Sequence, residues 1–426
     1  MVAPTAALMN TLTTRQNDSH LIAAASNRPG DDPIFALHGE AVRRAAEGED
    51  ILNATLGALA EDDGSLCVMP SVFEAFTSVD PVRAAAYAPI SGDKEFLEGV
   101  LEDVFGGDPE LAVHAVVNAT AGGTGALHHS VVNFLEPGQS LLTTDFYWSP
   151  YRIIAEHTGR KVNTFRMFDS KRCFDLSALE VGLSQQMKTQ GRALLVLNFP
   201  CHNPTGYSLD SFEWKRIVEI LNDASSQGPV AICLDLAYAR YAASSGEAWV
   251  DAVKGLAPGV TLLVAWSASK SYAQYGARVG ALVAVVKNQD QRERIKCALQ
   301  HSSRGTWSNC NHLGLLAIAN LLQDADLRSQ ADRDRARLVR LLSERVAAFN
   351  GAARTAGLDF PRYEGGFFVT VFTPHARKAA AICREDGVFV VPLDGGLRLA
   401  LCATPVAQVA RLVKSLAHGI QSAGGA

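Results

Sequence analysis

Residues 260–280 read VTLLVAWSASKSYAQYGARVG: a short apolar run, then serines and a lysine, and an arginine eight positions beyond the lysine. An apolar run of this length without polar alternation reads as a strand buried on both faces, the pattern of a parallel sheet covered by helices. Lys270 therefore stands at the carboxyl end of a buried strand, beside Ser267 and Ser269 and ahead of Arg278. Open α/β sheets bind their ligands beyond those strand ends.

The same reading extends outward. AVHAVVNAT (112–120), SLLTTD (140–145), ALLVLNF (193–199) and VAICLDL (230–236) are further apolar runs, alternating with helical stretches such as SFEWKRIVEILNDASS (211–226). That alternation is an α/β layout. NHLGLLAIANLL (311–322) reads as a buried helix. The stretch 324–353 reads as a long amphipathic one, with Leu327, Leu338, Leu341, Leu342 and Val346 as its apolar positions. After Gly357 the character changes. GGFFVTVF (365–372), GVFVVPL (387–393) and LRLALCA (397–403) read as strands of a smaller α+β unit. Thr404 reads as the N-cap of a last helix with Pro405 in first position, and Ala407 leaves the reciprocal capping box incomplete. Asp31-Asp32-Pro33 reads as the start of a helix over 34–50. The expected division is an N-terminal arm over 1–30, a small domain from 31–69 and 326–426, and a large domain over 70–325.

Bulk properties exclude several classes. The chain has 426 residues, 48% of them hydrophobic and 19% charged, with a net charge of −5, which argues against a nucleic-acid partner. The apolar runs are too short to span a bilayer. The first residues, MVAPTAALMNTLTTRQND, lack the charged and apolar regions of a signal peptide. Eight cysteines form no C-x-x-C pair, as suits free thiols in a reducing cytoplasm. His128 and His129 are adjacent and point apart on a helix, and no H-E-x-x-H occurs, so no metal is expected.

Each strand end delivers a reactive or ligand-binding group. ALLVLNF leads to Asn203, VAICLDL to Asp235 and Tyr238, and the lysine strand to Ser267, Ser269, Lys270 and Arg278. AVHAVVNAT leads to Gly123 and Thr124, and SLLTTD to Trp148. Taken singly, Asn-Pro-Thr-Gly is an ordinary turn, Asp235 a helix cap and Trp148 a core residue. Together they suit one cofactor, pyridoxal 5′-phosphate, which requires a lysine amine for its Schiff base. Asp235 would keep the pyridine nitrogen protonated, and Asn203 with Tyr238 would donate to the phenolic oxygen. The amides of Gly123 and Thr124, the hydroxyls of Ser267 and Ser269, and Arg278 would cradle the phosphate. Trp148 would cover the ring.

The motifs CHNPTG (201–206), LDLAY (234–238), SASK (267–270) with YGARVGA (275–281), and GTGAL (123–127) resemble those of class I aminotransferases. More narrowly, they resemble the aspartate/aromatic aminotransferase subgroup of fold-type-I pyridoxal-phosphate enzymes. NATLGALAEDDG (53–64), YAPISGDKEFLEGV (87–100), SSRGTWSN (302–309) and LRLALCATP (397–405) extend the resemblance to roughly residues 50–420. It implies a large domain with a mostly parallel, helix-covered sheet and a smaller α+β domain from both chain ends. It further implies a homodimer with shared active sites and ping-pong exchange of an amino group between a dicarboxylic or aromatic L-amino acid and a 2-oxo acid such as 2-oxoglutarate. By the same resemblance Arg398 clamps the substrate α-carboxylate and Gly57 lies in a segment closing over the substrate. Tyr87 would reach the phosphate, and Arg304 the distal carboxylate, in the neighbouring subunit's site. Lys270 would be the general base that moves the Cα proton.

Some positions depart from the subgroup. Gly122 stands where a serine is usual in the phosphate loop. Ser149-Pro150-Tyr151 replaces an asparagine–histidine pair, so that either Tyr151 takes the place of that histidine beside Asp235 or the tuning of the carboxylate differs. Ala58, Leu59 and Ala60 replace bulkier or charged residues of the closing segment. Two other readings fit parts of the sequence. A nicotinamide dehydrogenase would use the glycine loop at 122–125, yet His128 occupies the position of its next required glycine. A lyase, decarboxylase or oxidase on the same fold would share most of the cofactor site, and Arg304 argues instead for exchange with a dicarboxylic acid.

Overall fold

A computed structural model describes residues 20–26, 28, 30, 33–243 and 248–424. Leu52–Asn53 forms a first short strand, β1. Seven strands then build the main sheet: β2 Ala115–Ala121, β3 Ser140–Thr144, β4 Lys161–Phe165, β5 Ala193–Leu197, β6 Val230–Asp235, β7 Val260–Ser267 and β8 Val279–Val285. Their order is β2-β8-β7-β6-β5-β3-β4. β8 runs antiparallel to both neighbours, while the pairs among the other strands are parallel. Every residue of β3, β5, β6 and β8 is buried, which is why these strands carry no polar alternation.

Helices cap themselves where the sequence supplies the groups. Asp210 accepts from the Glu213 amide at 2.9 Å while Glu213 accepts from the Asp210 amide at 2.8 Å, a reciprocal box that opens the helix Ser211–Ser225. Further strands are β9 Phe368–Phe372, β10 Val388–Phe389, β11 Val391–Leu393 and β12 Gly396–Ala400. β11, β12 and β9 form an antiparallel sheet, and β1 pairs with β10 in parallel. An early segment of the chain is thereby held by the last third. The 31-residue helix Ala325–Thr355 buries Leu338, Leu342 and Val346 and leaves Leu327 and Leu341 partly covered. Among the described residues no helix is long and apolar enough to cross a membrane.

Several local expectations change. The run 112–120 becomes a strand only from Ala115, because Asp108 accepts from the amides of Glu110 and Leu111 and caps the turn Pro109–Ala112. β4 and β8 were not read from the sequence. β4 is largely exposed and polar, whereas β8 is an apolar run that follows the lysine loop directly. The last helix starts at Val406. Thr404 does not serve it as an acceptor: its hydroxyl donates to the Ala400 carbonyl at 3.1 Å and braces the preceding turn. The helix expected from Pro33 is present as Pro33–Ala46, while Asp31, Asp32 and most of the 1–30 arm lie outside the described residues.

Candidate active site

The loop after β5 folds back on the end of β6 through one residue. Asn198 Nδ2 donates to the Asp235 carbonyl at 2.8 Å, and its Oδ1 accepts from the Asn203 amide at 2.8 Å. This places Asn203 beside Asp235 and Tyr238, with its Nδ2 3.4 Å from the Tyr238 hydroxyl. His202 braces the loop, stacked on Phe199 with its Nδ1 2.8 Å from Thr205 Oγ1. Burial draws its pKa down to about 3, so the ring is neutral. The Asn203 side-chain oxygen is buried with no hydrogen-bond partner and calls for a donor, while the side chain's own donor toward a phenolic oxygen is Nδ2.

Asp235 is buried at the end of β6. Its Oδ2 accepts from the Tyr151 hydroxyl at 2.8 Å and its Oδ1 from the Ala237 amide at 3.2 Å. Burial raises its pKa, while those two donors and Lys270 pull it back. Lys270 follows β7, and its Nζ lies 5.7 Å from the ring centroids of both Tyr238 and Tyr275. Burial lowers its pKa, opposed by the Asp235 carboxylate and reinforced by the Arg278 guanidinium. A lysine so placed gives up its proton more readily than a surface lysine, as a Schiff-base amine and proton carrier requires.

Next to this group lies an anion cradle. β2 runs into the helix Gly122–Phe134, whose first amides, those of Gly123 and Thr124 included, lack intrahelical partners. Ser267 Oγ accepts from the Ser269 amide at 3.2 Å, and Arg278 Nη1 donates to Ser269 Oγ at 3.1 Å and to the Tyr275 carbonyl at 3.0 Å. Gly122 has φ +68°, and a Cβ there would lie 2.5 Å from Arg278 Nη2. The arginine thus fills the space of the side chain that this loop lacks. Amides, hydroxyls and a guanidinium together are the donor set a phosphate needs.

On the opposite side Arg398 projects from β12, buried, donating through Nη2 to the Thr55 carbonyl at 2.6 Å. Its guanidinium lies 4.6 Å from the Phe368 ring, which in turn meets Tyr238 edge-on at 5.7 Å. Gly57 packs on that ring so closely that a Cβ would lie 2.3 Å from Phe368 Cζ. Trp148 is half-buried and stands edge-on to Tyr151 at 5.7 Å. Tyr87 and Arg304 are exposed on the single chain: Tyr87 keeps 90% of its surface, and Arg304 donates to Ser308 Oγ at 2.5 Å.

Asn198 and Tyr275 belong to the site geometry and were not singled out from the sequence, although both lie inside segments that were. Their signal was position alone: Asn198 ends a buried run, and Tyr275 stands five residues past the lysine.

Comparison with known proteins gives a consistent picture. A family model described as Aminotransferase class I and II matches residues 49–416. Aspartate aminotransferase of Pseudomonas aeruginosa is 28% identical over 377 residues, covering 84% of this chain and 90% of that protein. Tyrosine aminotransferase of Klebsiella pneumoniae is 28% identical over 396 residues, covering 89% and 96%. Among solved structures, an aminotransferase from Anaerococcus prevotii superposes with a TM-score of 0.90 at 29% identity, covering 94% of this chain and 99% of that one. An aromatic-amino-acid aminotransferase from Burkholderia pseudomallei, covalently bound to pyridoxal phosphate, shares the fold at TM-score 0.79 and 24% identity, covering 93% and 98%.

Proposed function

The chain belongs to the aminotransferase class I and II family, and we propose that it exchanges the amino group of a dicarboxylic or aromatic L-amino acid with a 2-oxo acid, using pyridoxal 5′-phosphate attached at Lys270. The observation that carries this reading is the meeting of Lys270, Asp235, Asn203 and the Gly123–Ser269–Arg278 cradle at the carboxyl ends of one sheet. Pyridoxal 5′-phosphate, when bound, supplies an electrophilic carbon for the substrate amine and a ring that draws electrons from Cα.

The chain's own residues supply the rest. Asp235, whose Oδ2 accepts from the Tyr151 hydroxyl, would hold a proton at the pyridine nitrogen. Asn203 and Tyr238 would donate to the phenolic oxygen, and Trp148 would cover the ring. Gly123, Thr124, Ser267, Ser269 and Arg278 would hold the phosphate. Arg398 grips the α-carboxylate, which turns the Cα–H bond toward Lys270, and Gly57 lets the covering segment approach. Lys270 Nζ then moves the proton from Cα, a step general-base catalysis accelerates by about 10²–10⁴-fold. The keto acid leaves before the second substrate enters, a ping-pong sequence.

A homodimer completes the site in this reading. The Ala86 carbonyl lies 2.8 Å from His312 Nδ1, and Ser91 Oγ accepts from Gln300 at 2.8 Å, so the segments bearing Tyr87 and Arg304 lie side by side. Phe73, Val82, Tyr87, Ile90 and Leu313 are exposed on these segments and the helices next to them, a surface suited to a second copy. There Tyr87 would reach the partner's phosphate site and Arg304 a distal carboxylate. The 31–69, 70–325 and 326–426 segments form the small and large domains in this account. All eight cysteines are free thiols, which fits a cytoplasmic enzyme.

The test is the absorption spectrum of holoenzyme before and after L-glutamate, with no keto acid added. Conversion of the cofactor band to that of the pyridoxamine form, with one equivalent of 2-oxoglutarate released, is the expected result. Release of ammonia or carbon dioxide instead would overturn the transamination reading in favour of a lyase or decarboxylase.

A further inference from the structure

We propose that Tyr275 is a positioning residue that sets the segment Thr55–Ala60 in register with Lys270. The inference rests on the proposed function for its meaning and on three contacts for its substance. The Leu59 amide donates to the Tyr275 hydroxyl at 3.0 Å, across 216 residues of sequence. The Tyr275 ring lies 5.7 Å from Lys270 Nζ, within the range over which an ammonium is attracted to an aromatic face. The Tyr275 carbonyl accepts from Arg278 Nη1 at 3.0 Å. One residue therefore touches the segment over the substrate, the lysine and the arginine of the anion cradle.

Other ties of that segment lead elsewhere. Thr55 is held through its carbonyl by Arg398, the Ala60 amide donates to the Cys402 carbonyl at 3.0 Å, and the Leu59 carbonyl accepts from Cys67 at 2.9 Å. Just beyond, Asp62 and the Cys402 carbonyl are bridged by the fully buried Arg345 at 2.7 and 2.6 Å. Those bonds fasten the segment to the last third of the chain and to its own return. The Tyr275 hydroxyl fastens it to the lysine loop. Burial pushes the Tyr275 pKa well up, so the hydroxyl stays neutral while its oxygen accepts from the Leu59 amide. The side chain of Leu59 is itself fully buried, so fixing its amide also fixes the place of Gly57, two residues before, against the Phe368 ring.

Tyr275→Phe in the full-length holoenzyme removes the acceptor and keeps the ring. A net hydrogen bond of ordinary strength corresponds to a factor of roughly 2–13. The expected result is a rise of about that size in KM for L-glutamate, with kcat within about twofold and the cofactor spectrum unchanged. Hydrogen–deuterium exchange of the peptide covering 54–60 should quicken by a similar factor, while Tyr272→Phe, on the same loop with its ring against Trp266 and Arg335, leaves both readings as they were. Unchanged exchange and unchanged KM in Tyr275→Phe would overturn the proposal. So would a Leu59 amide that exchanges at the free-peptide rate in the unaltered protein, a measurement that needs neither variant nor activity. Absence of any cofactor band in the unaltered protein would sink the proposed function instead, and the exchange result would still decide the Tyr275 tie.

Discussion

The floor of the cleft and its entrance are built by different means. The floor is Asp235, Asn203 and Lys270, set at the ends of neighbouring strands, with Tyr151 from the first turn of the helix Pro150–His157 bonded to Asp235 and Asn198 tying Asn203 to the Asp235 backbone. The entrance gathers Arg398 and Gly57 from distant parts of the sequence, and leaves Tyr87 and Arg304 on the surface. The floor needs only the sheet to be correct. The entrance needs the packing of the chain's two ends and, in our reading, a second copy. A fold that fixes its cofactor rigidly can therefore vary its substrate by altering the entrance alone, and the departures at 58–60 fall there.

Substitutions on the two sides should separate these roles. Arg398→Lys keeps the charge and loses the planar fork, so kcat/KM should fall about 100-fold, roughly 2.7 kcal/mol. The cofactor spectrum should be untouched, and a change in that spectrum would blur the division. Tyr151→Phe acts on the floor and should be the milder change, about 13-fold in kcat/KM, the low end of the about 1.5–3 kcal/mol that a hydrogen bond to a charged group contributes. Its sign with pH follows from the bond: the Tyr151 hydroxyl lowers the Asp235 pKa, so its loss raises that pKa. The acid limb of the pH–rate profile then moves to higher pH. A pure KM effect with an unmoved profile would place Tyr151 at the entrance instead.

How much of this was legible from the sequence follows the same line. Lys270, Asp235 and Asn203 were readable because each follows a buried apolar run within a few residues, and a strand end needs no tertiary knowledge to locate. Tyr151 was readable only as a replacement for an expected histidine; its bond to Asp235 joins residues 84 positions apart. The role of Gly122 was not readable, since it depends on Arg278 reaching across from the next loop. Nor was that of Tyr275, whose partner lies at Leu59. β8 was missed because its small apolar residues read as the tail of the lysine motif, and β4 because an exposed edge strand carries polar residues.

The central claim is that Lys270 carries the cofactor. Holoenzyme reduced with borohydride, digested and examined by mass spectrometry should yield one modified peptide, with the pyridoxyl group on Lys270. A pyridoxyl group on any other lysine, or none in protein that shows the cofactor band, would contradict it.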